Sequence, residues 1–237
     1  MRLNQYISES GMCSRREADK LIENLSVTVN GKVASLGVQV VNGDVVKVNG
    51  QSVGPKSDRV VLLVNKPVGI TSTTDKSDKT NIIDFVNYKE RLFTIGRLDK
   101  DSQGAILLTN NGHLVNLLLR SENQHEKTYV VNVDKNITNE FLKEMSFGIK
   151  IYNPVSNSYV TTKPCKIRQL SKFSFEIILT QGLNRQIRRM CQALNYKVTS
   201  LVRAKFLFLT LENLKPGQWR KLTKSELEKL YELTEMK

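Results

Sequence analysis

The stretch that decides the fold is GRLDKDSQG at 96–104, followed directly by AILLT at 105–109. A second apolar run, LFTI at 92–95, precedes it. The pattern predicts a polar, charged loop held between two buried strands, which is where a scaffold displays functional side chains. Asp99 in such a glycine-bounded loop has two interpretations: a functional carboxylate, or a turn residue bonded to its own backbone. No third oxygen-rich cluster supports Asp99 and Asp101 as a magnesium pair.

The pattern on both sides of this loop indicates a mixed sheet. Apolar runs predict further strands at 60–65, 127–133, 159–168, 173–180 and 198–211. Helical periodicity appears at 111–120, 138–146 and 184–194, and a capping box at Thr223 opens a last helix. Because strands outnumber helices and hairpin spacing dominates, the sequence predicts an α+β fold with a mainly antiparallel mixed sheet.

The first fifty residues have a different pattern, with two short helices followed by small strands. A capping box, Ser14 to Glu17, opens the second helix, and Asn-Gly pairs at 30, 42 and 49 predict tight turns. Residues 49–59 are rich in Gly, Ser and Pro and have little to bury. We therefore expect a small domain over 1–53, a linker over 54–59 and a larger domain over 60–237.

The charge balance favours a polyanionic partner. The chain has 36 basic and 23 acidic residues, a formal charge of +13, and residues 163–205 hold ten basic residues against the single Glu176. A positive charge of this size can serve only to keep a protein soluble, but in so basic a sequence it more often indicates binding to a polyanion such as nucleic acid. Disorder is excluded because 40% of the residues are hydrophobic.

Several other classes of protein are excluded by composition. Three scattered cysteines and two histidines give neither a disulfide framework nor a zinc or multi-histidine site, so we expect no structural metal. No apolar run approaches the roughly 18 residues of a membrane span. We expect a soluble, cytoplasmic protein with no membrane partner.

A second informative stretch is GLNRQIRRM at 182–190. We expect Asn184 to cap a helix whose arginines, Arg185, Arg188 and Arg189, cluster on neighbouring turns. A solvated helix face is the ordinary interpretation of such arginines. Because few acidic residues are nearby in the sequence, phosphate or carboxylate contacts are favoured instead.

Four motifs in register resemble one enzyme family. GRLDKDSQGAILLTNNG at 96–112, NKPVG at 65–69, EKTY at 126–129 and GLNRQIRRM are similar to the motifs of the pseudouridine synthases that modify ribosomal RNA. Residues 1–50 resemble the small RNA-binding module named after ribosomal protein S4, including SRREAD at 14–19. Leu25 and Ser26 depart from that module, which usually has glycine and an RNA-contacting residue there, so we expect Asn24 to supply the left-handed turn.

The resemblance implies a reaction and its residues. Uridine becomes pseudouridine when the C1′–N1 bond breaks, the uracil rotates, and C5 rejoins C1′, so no cofactor and no metal are required. The resemblance assigns the catalytic carboxylate to Asp99, either as nucleophile or as base at C2′, with Arg188 as its expected cationic partner. It assigns uracil stacking to Tyr129 and the opposite wall of the pocket to Leu201. We expect Arg97 to position the loop or the flipped nucleotide.

Basic and polar positions in both predicted domains complete the candidate site. We expect the following residues to contact RNA: Arg2, Arg15, Arg16, Lys20, Asn30, Lys32, Arg185, Arg189 and Arg203.

The resemblance also sets the function and its alternatives. It implies a monomeric RNA isomerase acting on large-subunit ribosomal RNA. Transfer RNA remains an alternative substrate, and a non-catalytic RNA-binding or ribosome-assembly factor is an alternative of another class. A nucleoside hydrolase is disfavoured because a small substrate would not need such a basic surface.

Overall fold

The computed structural model describes residues 1–54, 59–119 and 125–235. Residues 1–53 fold into two helices packed on a small four-stranded antiparallel sheet. The elements are α1 Leu3–Glu9, α2 Arg15–Glu23, β1 Val27–Val29, β2 Lys32–Val33, β3 Val46–Val48 and β4 Gln51–Val53, and the strand order is β2-β1-β3-β4.

Local sequence signals account for this small unit. The Ser14 hydroxyl accepts a hydrogen bond from the Glu17 amide (3.1 Å), and the Glu17 carboxylate accepts one from the Ser14 amide (2.6 Å). Asn-Gly turns with positive φ at Asn30 and Asn49 connect β1 to β2 and β3 to β4. The predicted capping box and both hairpin turns are confirmed.

The turn after α2 differs from the prediction. The φ of Asn24 is −79°, whereas Leu25 is left-handed at +57°, with 69% of its surface exposed. The amide of Ser26 donates to the carbonyl of Leu21 (3.0 Å), the long bond of a Schellman motif, which places the left-handed position at Leu25. The assignment of this turn to Asn24 is therefore wrong.

The rest of the chain builds a larger mixed sheet of nine strands. The strands of this part are β5 Val61–Lys66, β6 Phe93–Ile95, β7 Gln103–Thr109, β8 Lys127–Val133, β9 Lys150–Asn153, β10 Ser158–Thr161, β11 Lys166–Ser171, β12 Ser174–Leu179, β13 Val198–Phe206, β14 Leu209–Thr210 and β15 Trp219–Lys221. The order in the large sheet is β11-β12-β8-β13-β7-β5-β15, with β14 beside β13 and β6 beside β7, while β9 and β10 form a separate hairpin. Among the strands of the described residues only β13 and β7 pair in parallel, so the mainly antiparallel α+β prediction is confirmed.

The helices of this larger part are α3 Ile82–Val86, α4 Gly112–Leu119, α5 Asn139–Phe147, α6 Gln186–Ala193 and α7 Lys224–Glu235. The Thr223 capping box is confirmed, with Thr223 and Glu226 bonding each other's amides. The predicted run 159–168 is instead two strands, because the chain leaves the β9–β10 hairpin at Pro164, which cannot donate to a ladder. The short elements α3, β9 and β15 were not predicted. Residue 120 of the predicted helix 111–120 lies outside the described residues.

The hydrophobic side chains form separate clusters in the two parts. Leu3, Ile7, Ala18 and Ile22 pack with the valines of the small sheet, and three further clusters fill the larger part. A boundary at 54–59 remains a prediction, and residues 55–58 of that linker lie outside the described residues. Over the described ranges, the helices are too short or too polar to cross a membrane.

Candidate active site

The loop between β6 and β7 is clamped by backbone hydrogen bonds. The buried hydroxyl of Ser72 donates to the carbonyl of Leu98 (2.9 Å) and accepts from its amide (3.1 Å). The amide of Gly69 donates to the carbonyl of Lys100 (2.8 Å). This leaves Asp99 at a turn between two fixed points, with 35% of its side chain exposed.

Gly104 is a steric requirement at the end of this loop. Its φ is +125°, and it faces Arg203 where β7 and β13 run in parallel. A Cβ at this position would lie 2.3 Å from the Arg203 carbonyl oxygen, which real Cβ atoms do not tolerate. The glycine of the loop motif therefore allows the loop strand to approach β13.

Strand register places four distant residues in one row. Tyr129 pairs with Arg203, Arg203 with Gly104, and Gly104 with Lys66, across β8, β13, β7 and β5. Neighbouring strands lie about 4.8 Å apart. The row thus connects the EKTY motif, the loop motif and the NKPVG motif.

Arg203 supports the loop from below. Only 2% of it is exposed, its Nε donates to the Ala105 carbonyl (2.6 Å), and its Nη1 donates to the Arg97 carbonyl (3.4 Å). The prediction that Arg203 contacts RNA is wrong, because its guanidinium is buried against the backbone at both ends of the loop.

Arg185 is the cation that reaches both loop carboxylates. Its two terminal nitrogens donate to the two oxygens of Asp101 at 2.9 and 2.8 Å, and its Nη1 lies 3.7 Å from Oδ2 of Asp99. The hydrogen bond from Arg185 is the largest cause that holds the pKa of Asp101 below its ordinary value. Arg185 occupies the N-cap of α6 with φ +49°, so the assignment of the cap to Asn184 is wrong. Asn184 instead accepts bonds from Arg189.

Arg188 contacts the loop beside Asp99, not Asp99 itself. Its Nη2 donates to the Asp101 carbonyl (2.9 Å) and the Ser102 hydroxyl (3.4 Å), and its Nε lies 3.4 Å from the Asp101 carboxylate. The expected ion pair between Arg188 and Asp99 is replaced by the pair between Arg185 and Asp99. The reason is geometric: Arg188 follows Arg185 by one helical turn and reaches the loop at its far end.

Two lysines, the fully buried Lys66 and the partly buried Lys127, have shifted pKa values and are not among the predicted site residues. Lys66 is fully buried and donates to the carbonyls of Pro67 (2.9 Å) and Ile70 (2.8 Å). Burial lowers its pKa to about 8, opposed by the charges of Asp101 and Asp99. Burial, then the charge of Arg203, likewise lowers the pKa of Lys127 to about 8. The signal for Lys66 was its place directly after an apolar strand, in NKPVG.

Tyr129 belongs to this row, whereas Leu201 lies two residues before Arg203 on β13 and Arg97 lies in the loop. Tyr129 is half-buried where two hydrophobic clusters meet, and one of these clusters contains Leu98 of the loop. Leu201 is buried in the other cluster, opposite Val131 on β8. The Arg97 side chain is exposed. The roles assigned to these three residues remain predictions.

The predicted RNA contacts divide into exposed and engaged side chains. Asn30 is engaged, because its amide donates to Asp44 (2.8 Å) and accepts from the Val45 amide (2.9 Å). Arg189 is also engaged, donating to Asn184 and to the Tyr152 carbonyl (3.1 Å). Both side chains therefore have partners within the protein, and their contacts with RNA remain predictions. The small unit exposes the basic residues Arg2, Arg15, Arg16, Lys20 and Lys32.

This arrangement can present a carboxylate to a base while stabilising its negative charge. Asp99 is accessible, its loop is fixed from three sides, and a guanidinium lies 3.7 Å away. Tyr129 provides a partly exposed ring two strands from the end of the loop. The geometry suits general base or nucleophilic work on a nucleotide that has left its stack.

Comparison with known proteins agrees with this arrangement. Residues 60–193 match the RNA pseudouridylate synthase family, and residues 1–46 match the S4 domain. The chain is 54% identical over 236 residues to the dual-specificity RNA pseudouridine synthase RluF of Salmonella typhi, covering 99% of this chain and 80% of that one. It is 36% identical to ribosomal large subunit pseudouridine synthase B of Bacillus subtilis, covering 99% and 97%.

A solved structure extends the comparison to the whole fold. A crystal structure of a pseudouridylate synthase superposes with a TM-score of 0.71 at 29% identity, covering 97% of this chain and 99% of that one. The same chain thus joins an S4 domain to a synthase domain with a clamped, carboxylate-bearing loop. The chain belongs to the RNA pseudouridylate synthase family.

Proposed function

We propose that this chain isomerises a uridine of large-subunit ribosomal RNA to pseudouridine, with Asp99 as the catalytic carboxylate. The observation that carries the proposal is the position of Asp99 on a loop fixed by Ser72, Gly69 and Arg203, beside the guanidinium of Arg185. A relative named for the large ribosomal subunit, at 36% identity over nearly its full length, supports the choice of RNA.

The residues divide the work of the reaction. Asp99 acts at the sugar or the base while the C1′–N1 bond breaks, and Arg185 stabilises its negative charge between steps. Tyr129 stacks on the freed uracil while it rotates, and C5 then bonds to C1′. The proton on C5 leaves to solvent and N1 gains one, so atoms and electrons balance without a cofactor. We therefore expect turnover to continue in EDTA while the RNA stays folded.

Transfer RNA is the second candidate substrate. The relatives at 54% identity carry the name dual-specificity RNA pseudouridine synthase. Since RNA is recognised through shape and unpaired loops, one site can accept loops from two kinds of RNA. A monomer in the cytoplasm is part of the same proposal, and sedimentation of the purified chain tests the monomer.

The substitution Asp99→Asn tests the catalytic proposal. Ribosomal and transfer RNA labelled with [5-³H]uridine releases tritium when C5 bonds to C1′. We expect the variant to lose at least about 100-fold in rate and to keep RNA affinity within about twofold. The matched control is Asp75→Asn. Asp75 is an exposed loop residue that accepts hydrogen bonds from the amide and hydroxyl of Ser77, and the side-chain oxygen of asparagine can accept the same bonds.

The outcomes separate the candidates. An Asp99→Asn protein that still modifies RNA would refute the catalytic role. Mapping pseudouridines in an Escherichia coli strain that lacks RluF and expresses this chain shows which RNA is the substrate. If the chain restores normal growth or ribosome assembly to that strain but no pseudouridine appears, the result would favour the non-catalytic assembly factor.

A further inference from the structure

The β9–β10 hairpin exposes a pair of tyrosines that the reaction does not use. Tyr152 and Tyr159 lie directly opposite each other, with 41% and 68% of their surfaces exposed. Their ring centroids are 5.5 Å apart at an interplanar angle of 64°. The ammonium of Lys150 lies 5.5 Å from the centroid of the Tyr159 ring. Tyr152, Tyr159 and Lys150 together form the tyrosine face of the hairpin.

The core of the protein does not require this face. Strand alternation places Ile151 and Val160 on the opposite side of the hairpin, where Ile151 is buried and both pack into the hydrophobic cluster of β8 and β12. The tyrosines point away from that cluster. A polar pair would leave the inner packing unchanged, so the two aromatic rings are available for an external partner.

The hairpin is attached to the candidate active site through α6. Arg189 donates to the carbonyl of Tyr152 (3.1 Å), and Arg185, one helical turn earlier, holds Asp101 of the loop. The same short helix therefore fixes both the tyrosine face and the carboxylate loop. An RNA bound at Asp99 could therefore extend along α6 and reach the tyrosine face.

The charge around the tyrosine face favours an anionic partner. From Gly148 to Phe175 the sequence has five basic residues and no acidic one. Aromatic rings beside cations are the combination that binds single-stranded nucleic acid, because rings stack on bases and cations follow the phosphates.

We propose that the tyrosine face stacks on an unpaired nucleotide of the same RNA that carries the target uridine. The inference rests on the RNA substrate of the proposed function and extends it to a second contact. Tyr159, the more exposed ring, makes the stack, Tyr152 supports it edge-on, and Lys150 lies against the phosphate.

Tyr159→Thr tests this role because threonine keeps the strand and removes the ring. The probe is a fluorescein-labelled 12-nucleotide oligouridylate, with binding followed by fluorescence anisotropy. We expect Tyr159→Thr to weaken binding about 5-fold or more, the lower range for loss of one stacked base. Tyr159→Phe, which retains the ring, should bind within twofold of the wild type, and Tyr159→Trp should bind at least as tightly.

A matched control separates stacking from a general loss of aromatic surface. Phe173 is an exposed aromatic residue beside Lys172 in the turn between β11 and β12, and Phe173→Thr should leave binding within twofold. Melting temperatures of all variants are measured alongside. If Tyr159→Thr also unfolds the hairpin, the comparison of Phe and Trp at position 159 decides: both keep an aromatic ring in the cross-strand pair, and a stacking ring makes the Trp variant bind more tightly than the Phe variant, whereas equal binding by the two would overturn the proposal.

Specific results would overturn the proposal. Equal binding by wild type and Tyr159→Thr, or an equal loss in Phe173→Thr, means that the pair serves the hairpin alone or a protein partner. A Trp variant that binds more weakly than Thr has the same meaning. Tritium release by the wild type is measured in parallel, so failure of the isomerase proposal is distinguished from failure of the stacking proposal.

Discussion

Replacing Gly104 by alanine should destabilise the protein more than the same replacement at the other glycines around the loop. A Cβ there would lie 2.3 Å from the carbonyl oxygen and 2.5 Å from the nitrogen of Arg203. Both neighbours are backbone atoms of β13, so a side-chain rotation cannot relieve the overlap. The parallel pair of β7 and β13 must separate, and the bonds from Arg203 to Ala105 and Arg97 must lengthen.

The magnitude follows from two costs. A positive φ costs a non-glycine residue about 1–2 kcal/mol. Overpacking against fixed atoms costs about 1–3 kcal/mol, and the short distance argues for the upper end. A total near 4–5 kcal/mol lowers the melting temperature by about 8–20 °C, at about 2–4 °C per kcal/mol for a chain of this size.

Gly69→Ala is the matched control for this prediction. Gly69 also has a positive φ (+92°) and also bonds the loop through its amide, but among the described residues a Cβ there meets no atom within 4 Å. Its cost is therefore the strain alone, about 1–2 kcal/mol. Scanning calorimetry of both variants gives the comparison. Equal losses of melting temperature in the two variants would refute the steric argument.

Three further predictions concern charge and backbone strain. Leu25→Gly should raise the free energy of unfolding by about 0.5–1 kcal/mol, since it relieves a left-handed leucine that is exposed; an unchanged urea midpoint would contradict this. Asp101→Asn should lower kcat/KM about tenfold, because Arg185 loses a bidentate partner and closes on Asp99; tritium release measures it, and a rate within twofold of wild type counts against it. The pKa of Lys66 is about 8 in the folded protein and near 10.4 in the unfolded chain, so burying the charged lysine lowers the free energy of unfolding by its full amount below pH 8. This loss of stability disappears as the pH rises from 8 towards about 10.4. The stability of the wild type relative to Lys66→Met should therefore rise between pH 8 and 10 in urea titrations, and a flat difference would argue against the buried charge.

Local signals in the sequence predicted most of the elements. The capping boxes at Ser14 and Thr223 and the Asn-Gly turns act within four residues, so their outcome depends little on the rest of the chain. The strands flanking the loop were visible as apolar runs for the same reason. The strand β15 was missed because its pairing with the distant β5, not periodicity, defines it, and α3 was missed because five residues are too few to show a helical period.

The directions of the arginine side chains could not be read from the sequence. Residues 163–205 form a basic zone along the chain, but Arg185, Arg188 and Arg203 turn inward to the loop. Arg168 also pairs with Glu176 at 2.7 Å. Whether a guanidinium meets a phosphate or a carbonyl depends on which strands become neighbours. The part of the site that the sequence predicted correctly is the loop itself, and the part that it missed is what holds the loop.

The register of Arg203 against Gly104 has a consequence for synthesis of the chain. The bond from Arg203 to Ala105 joins residues 98 positions apart. A nascent polypeptide that has emerged from the ribosome only as far as α6 carries Asp99 but lacks the strand beneath it. Competence to modify RNA should then begin abruptly, once translation has delivered β13, so that partly made molecules do not act on the ribosomes that surround them.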